Sequence, residues 1–300
     1  MKKPPFRLAV VVALLLGIGL GAPARADISP DVLGAGPSFA PPGDNPAAKD
    51  IGMANEKVVL ELHTVNGGGD GSFIVVDATF TMKAPKKPVT LQVAFPGDGV
   101  RVGDAYVNHP RLVGFKAFVD GKPVASKADE KEFSVQAGPP SSPYKKTRRE
   151  TWHTFPAVID DETVVRVRYA VAAEPMGFDE KQTHAKAQYI LHTGAAWAGK
   201  IGEAVIEVRG VDVDVEKTSL RTLSMSPVSL VSLKGDAPPP PVSPPNTTRT
   251  KTTITTTFKD FEPGDKDDVE VVFPAVRDGY PDDYAKSRAA LEAAMEKAAK

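Results

Sequence analysis

Residues 163–171, TVVRVRYAV, set Val165, Val167, Tyr169 and Val171 against Arg166 and Arg168 along an extended chain. This period of two constrains the fold more than any other feature. Side chains alternate across a strand, so one apolar set per strand asks for one buried sheet face. The pattern recurs along the chain. EKVVLELHT alternates at Val58, Leu60 and Leu62 against Val59, Glu61 and His63, and FIVVDATFTM at Ile74, Val76, Ala78, Phe80 and Met82. PVTLQVAFP alternates at Val89, Leu91, Val93 and Phe95; FKAFVDGKPV and KEFSVQ add short strands, the former with a tight turn at Asp120-Gly121. AGPPSSPYKKTRRE reads as a long polar loop. Further on, AKAQYILHT, GEAVIEVRGVDVDVE, RTKTTITTTF and DDVEVVF continue the alternation, the last with Val269, Val271 and Phe273 aligned. β-Branched residues dominate these runs, and helical periods between them are missing. The fold class is therefore all-β, with two β-sandwich-like domains rather than α/β units.

The flanks differ in kind. Lys2, Lys3 and Arg7 precede a 13-residue apolar run, Leu8–Leu20, too short for a comfortable span, and Ala24-Arg25-Ala26 supplies a small-x-small cleavage pattern. A signal peptide over 1–26 is expected, which makes Asp27 the first mature residue and places the protein in the periplasm or outside the cell. No cysteine is present to carry an acyl anchor, a disulfide or a thiolate metal site, and no later apolar segment is long enough to cross a bilayer. The leader holds four of the 37 Lys and Arg and none of the 38 Asp and Glu. The remaining 33 against 38 give a formal charge of −5, which excludes general nucleic-acid binding.

The rest divides by composition. Residues 27–54, rich in Pro, Gly, Ala and Asp, read as a flexible leader. A first sandwich is expected over 55–175 and a second over 184–275, interrupted by a Pro-rich loop at 235–249. The segment 276–300 reads as the one clear helix, with Tyr284, Leu291, Met295 and Ala298 as a narrow apolar stripe that docks on a sandwich edge or stays loosely attached. TFPAVIDDETVVRV and FEPGDKDDVEVVF echo one another faintly, each an aromatic and a proline, then paired acids, then alternating valines.

Several strings together resemble a family of exported bacterial proteins catalogued only as a domain of unknown function. They are Ile51-x-Met53-x-x-Glu56, Val93-Ala94-Phe95-Pro96, Trp152-x-x-Phe155-Pro156 and Phe261-x-Pro263. Tyr189-x-Leu191-x-Thr193-Gly194-x-x-Trp197-x-Gly199-x-Ile201-Gly202 is the most specific. The resemblance covers about residues 51–273 and fails in the Pro-rich insertion and the basic loop. It implies export and architecture and carries over no catalytic residue.

The chemistry-bearing candidates are few. Trp197, in a Gly/Ala turn, is either a core plug swung inward or a stacking platform for a sugar or aromatic ligand; Trp152 carries the same ambiguity. Trp152, His153, His192, Thr193 and Trp197 are the candidate ligand contacts. Lys145, Lys146, Arg148 and Arg149 are the candidate anion contacts, for lipid phosphates or an acidic polymer. His184 and His192 share a strand face but lie roughly 26 Å apart, so no metal site is assigned. The acids 160–162 and Asp265, Asp267 and Asp268 read as solvated turn formers, with calcium as the sharper alternative. Ser142-Pro143-Tyr144-Lys145 matches Ser-x-x-Lys without a helix to carry it, and Gly67–Gly71 opens no helix, so neither a serine acyl-enzyme nor a phosphate loop is assigned. No catalytic residue and no cofactor is assigned. The chain reads as a non-catalytic cell-envelope binding or structural module with an envelope protein or glycan as partner. The alternatives are a hydrolase of an envelope polymer and a periplasmic metal- or calcium-binding protein.

Overall fold

The computed structural model describes residues 34–35, 38–39, 50–65, 71–84, 86–96, 101–102, 112–136, 145–176, 181–189, 191, 197–222, 243–278 and 284–300. In chain order the strands begin with β1 (Gly34–Ala35), β2 (Ser38–Phe39), β3 (Gly52–Thr64), β4 (Ser72–Lys83), β5 (Val89–Pro96) and β6 (Arg101–Val102). Then come β7 (Leu112–Val119), β8 (Lys122–Val124), β9 (Lys127–Gln136), β10 (Lys145–Ile159), β11 (Thr163–Ala172) and β12 (Glu174–Met176). The last are β13 (Lys181–Tyr189), β14 (Ile201–Gly210), β15 (Ser219–Thr222), β16 (Thr247–Arg249), β17 (Thr253–Phe261) and β18 (Val269–Asp278), followed by α1 (Tyr284–Ala298). The all-β class and the C-terminal helix stand as the alternation required.

The described strands form three sheets. The largest runs β16-β17-β14-β3-β4-β11-β7-β8; one five-stranded sheet runs β1-β13-β18-β15 with β12 on β13, and the other β2-β5-β10-β6 with β9 on β10. One apolar core collects side chains from all three, among them Leu60, Val76 and Val167 of the large sheet, Tyr189 and Val271 of the second, and Phe95 and Phe155 of the third. The spans 55–175 and 184–275, expected as separate sandwiches, both enter the large sheet. β14 lies parallel to β3, with Val205 opposite Lys57 and Val208 opposite Leu60. Period-two patterning gives each strand its buried face and says nothing of its lateral neighbour.

Three local expectations also change. Pairing starts inside the expected flexible leader: Gly34–Ala35 lie parallel to Gln188–Tyr189, Ser38–Phe39 antiparallel to Val93–Ala94, and Ile51 is fully buried. Lys145–Glu150, expected in a polar loop, belong to β10 and pair with β9. The expected Thr-rich strand is a hairpin, β16 turning at Thr250–Thr252 into β17. Most of the Pro-rich 235–249 segment lies outside the described residues.

The helix packs on a sheet face rather than an edge. Val75 and Ala170, out of phase with the inward Val76 and Tyr169, form a second apolar cluster with Phe73, Met295 and Ala299. The sheet also grips the helix end: Arg168 Nη2 donates to the Ala298 carbonyl at 3.1 Å, and Lys116 Nζ to those of Ala299 and Lys300 at 3.3 and 3.2 Å. Cations are favourable there, where the last carbonyls of a helix lack backbone partners. At the other side of the same strands, Asp120 (φ 50°) and Gly121 (φ 74°) close the β7–β8 hairpin as expected, and Asp120 Oδ1 accepts from Val164 N.

Candidate functional site

Residues of two motif strings, Ile51–Glu56 and the described part of Tyr189–Gly202, meet at one junction, where the starts of β3 and β14 approach the end of β13. Ala198 N donates to Ile51 O at 2.8 Å, which ties the Trp-bearing turn to the first residues of β3. Gly199 takes φ 72°, a conformation that glycine adopts without a Cβ penalty. At Gly202 a Cβ would lie 2.5 Å from Ala54 O, so the close approach of β14 to β3 requires glycine. These constraints turn Trp197 inward, 8 % exposed, against Phe80, Met82, Val93, Phe95, Ile159 and Val165. The gap left between these side chains is about 10 Å³, room for one water at most. Trp197 thus sits as a plug between the sheets.

A buried polar pair joins β3 to β13. Glu56 is in phase with Val58, Leu60 and Leu62 on β3 and is 2 % exposed. Its Oε1 accepts a 2.9 Å hydrogen bond from the Tyr189 hydroxyl across the core. Burial pushes the Glu56 carboxyl up to about 7, with the Tyr189 bond pulling the other way by less. Burial and the adjacent Glu56 carry the Tyr189 hydroxyl well above its ordinary range. Asp268, expected on a solvated turn, is 2 % exposed and accepts from Leu191 N at 2.8 Å. Of the other turn acids, Asp160 Oδ1 accepts from Asp161 N and Asp267 Oδ2 from Gly264 N, both on nearby backbone. Among the described residues no three His, Asp or Glu side chains gather as a ligand set.

The remaining candidates lie apart from the plug. The half-buried His153 ring stacks on Phe115 at 4.7 Å and 16°, and Phe115 tilts onto Phe95, which lines the gap beside Trp197. Phe115 and Phe95 thus link His153 to the lining of that gap. Trp152 is placed by register, opposite Pro96 of β5 and Asp129 of β9. His192 and Thr193 lie outside the described residues. On β10, Lys145 pairs with Gln136, Lys146 with Val135, Arg148 with Phe133 and Val102, and Arg149 with Glu132 and Arg101. His184 and His63 are both held below the ordinary imidazole range, chiefly by burial.

Three features carry more structure than the sequence reading gave them. Glu56 was visible as a charge at an inward position of an alternating run. The pair Arg221 and Glu270, directly opposite on β15 and β18, is 8 % and 4 % exposed, with Nε donating to Oε1 at 2.6 Å. Arg168 also bonds Asp77 and Glu61, and Asp77 takes Arg166 in two bonds of 2.7 and 2.6 Å. No signal along the chain pairs residues this distant.

No protein-family model matches the chain, and no curated protein matches it. Solved structures similar to it include a candidate nutrient-binding protein of Legionella pneumophila, 17 % identical, with a TM-score of 0.47 over 79 % of this chain and 70 % of that one. An M1 zinc metallopeptidase of Deinococcus radiodurans is 13 % identical, with a TM-score of 0.33; the match covers 79 % of this chain and spans 44 % of the peptidase's length. Among the described residues no helix is long and apolar enough to cross a membrane.

Proposed function

We propose that the chain is an exported, non-catalytic β-sandwich module of the cell envelope that works by presenting its surface to a protein or glycan partner. The observation that carries this reading is the use made of the most perturbed carboxyl. Glu56 is sealed in the core and bonded to Tyr189, and the gap that Trp197 lines admits one water at most. A group of this kind marks a catalytic site when it lines a cleft; here it joins two sheets. The ion pairs Arg221–Glu270 and Arg168–Asp77 likewise bind strand to strand.

The test begins with fractionation of cells expressing the chain with and without residues 1–26. The full chain is expected outside the cytoplasm, and the shortened one inside. The purified chain from Asp27 is then incubated with isolated envelope, peptidoglycan and chromogenic glycosides. Retention on envelope without turnover is the expected result. Turnover that falls in His153→Ala would establish the hydrolase reading instead, and a melting temperature lowered by a chelator would establish the calcium reading.

A further inference from the structure

We propose that His63 makes the docking of α1 acid-sensitive, a proton on its ring loosening the helix from the outer face of the large sheet.

The register sets His63 of β3 directly opposite Phe73 of β4, and the two rings stack at 4.6 Å with their planes 2° apart. Phe73 is buried in the apolar cluster that Met295 and Ala299 of α1 share with Val75 and Ala170. The His63 ring thus flanks the seat of the helix. Its Nε2 is buried and meets no hydrogen-bond partner among the described residues. A neutral imidazole has one bare nitrogen, which can go without a partner at small cost. An imidazolium donates from both nitrogens, and here one of those donors would be stranded.

The charges around the ring are already engaged. Asp212, after β14, accepts from Thr64 N at 2.8 Å. Glu61, on β3 itself, accepts from Arg168 Nη2 of β11 at 3.1 Å, and the same Nη2 donates to the Ala298 carbonyl of α1. On the helix, Glu296 and Lys297 are exposed and Glu292 is half-buried. Burial holds the imidazole below its ordinary range; Asp212 and Glu61 pull upward without cancelling this, and Arg168 pushes further down. A proton gained at His63 therefore sets a positive charge beside the residue that grips the helix end, and competes for that residue's partner Glu61.

The sign follows from where the ring meets water. Release of α1 uncovers Phe73 and the ring stacked on it, which returns His63 toward its ordinary value of 6.5. The released state then binds the proton more readily than the docked one, so docking is strongest above pH 6.5 and weakens as pH falls through the docked-state value. Among the described residues of α1 only Met295 and Ala299 are buried, so the helix opens more easily than the sheet beneath it. Opening bares an apolar strip of sheet at Phe73, Val75 and Ala170.

The experiment is hydrogen exchange of the chain from Asp27 at pH 8 and pH 5, corrected for the intrinsic exchange rate. Protection of amides in 284–300 should fall several-fold at the lower pH while those of β4 and β11 hold. His63→Phe keeps the stacked ring and takes no proton, so its protection should not change with pH. A second measurement follows the His63 ring by proton NMR. It should titrate below 6.5 in the parent and move up in Gly114→Ala. Gly114 has φ 67°, and a Cβ there would lie 2.7 Å from that of Ala299, so the substitution wedges the helix end away without altering any charge. Coupling is reciprocal, and a helix loosened by other means must raise the affinity for the proton. Protection of 284–300 that ignores pH would overturn the proposal, as would an equal fall in His63→Phe or a ring titration unmoved by Gly114→Ala. A loss shared by β4 and β11 would mean general acid unfolding and overturn it too.

Discussion

Replacing Glu56 by Gln should change the pH dependence of stability more than stability itself. The carboxyl titrates at about 7 in the fold and near 4.5 when solvated, because burial favours its neutral form. A folded-state value above the unfolded one means that the native protein binds the extra proton. Its contribution is complete below pH 4.5 and is lost as pH rises through about 7. The full loss is about 3 kcal/mol, reached above pH 7, and Glu56 is too buried for solvent to screen it. Gln retains an oxygen for the Tyr189 hydroxyl but never ionises. Its amide adds donors that need partners, a cost of about 1–3 kcal/mol that does not vary with pH. Urea unfolding followed by tryptophan emission from pH 4.5 to 8 reads both terms. The parent should lose stability across this range relative to Glu56→Gln, so that the two curves approach or cross near neutrality. Tyr189→Phe should steepen the fall, since it removes the bond that holds the carboxyl down. Parallel curves for the parent and Glu56→Gln would refute the reasoning, since they would mean that Glu56 meets water in the native state.

Arg221→Ala leaves Glu270 buried without its guanidinium and should cost about 3–5 kcal/mol in urea unfolding, most of it recovered in Arg221→Met/Glu270→Met; additive losses would contradict the pairing. Trp197→Ala should cost about 3–5 kcal/mol, because the adjoining gap is too small to let the core collapse cheaply. A loss under about 1 kcal/mol on thermal melting would place the indole in solvent. Arg168→Ala/Lys116→Ala should free the last turn of α1, so that proteolysis within 284–300 quickens several-fold while urea stability changes by about 1–2 kcal/mol. Unchanged cleavage would mean that Met295 and Ala299 hold the helix without the two cations.

Parity along single strands was fully legible in the sequence. Val165, Val167 and Tyr169 point into the core as the alternation requires, and Asp120-Gly121 turns where a two-residue hairpin demands positive φ. Lateral order was not, because nothing in GEAVIEVRG favours β3 over a neighbour nearer in sequence. KKTRRE suggests a loop for a related reason: composition does not show that β9 pairs along its length. The helix was legible as a helix, but its seat was not. The second apolar phase of β4 and β11, Phe73, Val75 and Ala170, looks like noise in an alternating run until Met295 and Ala299 cover it.

The candidate site follows the same division. Glycines, a tryptophan and a tyrosine marked one turn as unusual, and the junction explains those of them that lie among the described residues. Gly202 admits the Ala54 carbonyl, Gly199 supplies the left-handed residue, and Trp197 fills the space between sheets. Residues so placed would be required by the fold whatever the protein binds. Specificity must therefore be sought where the fold makes no such demand.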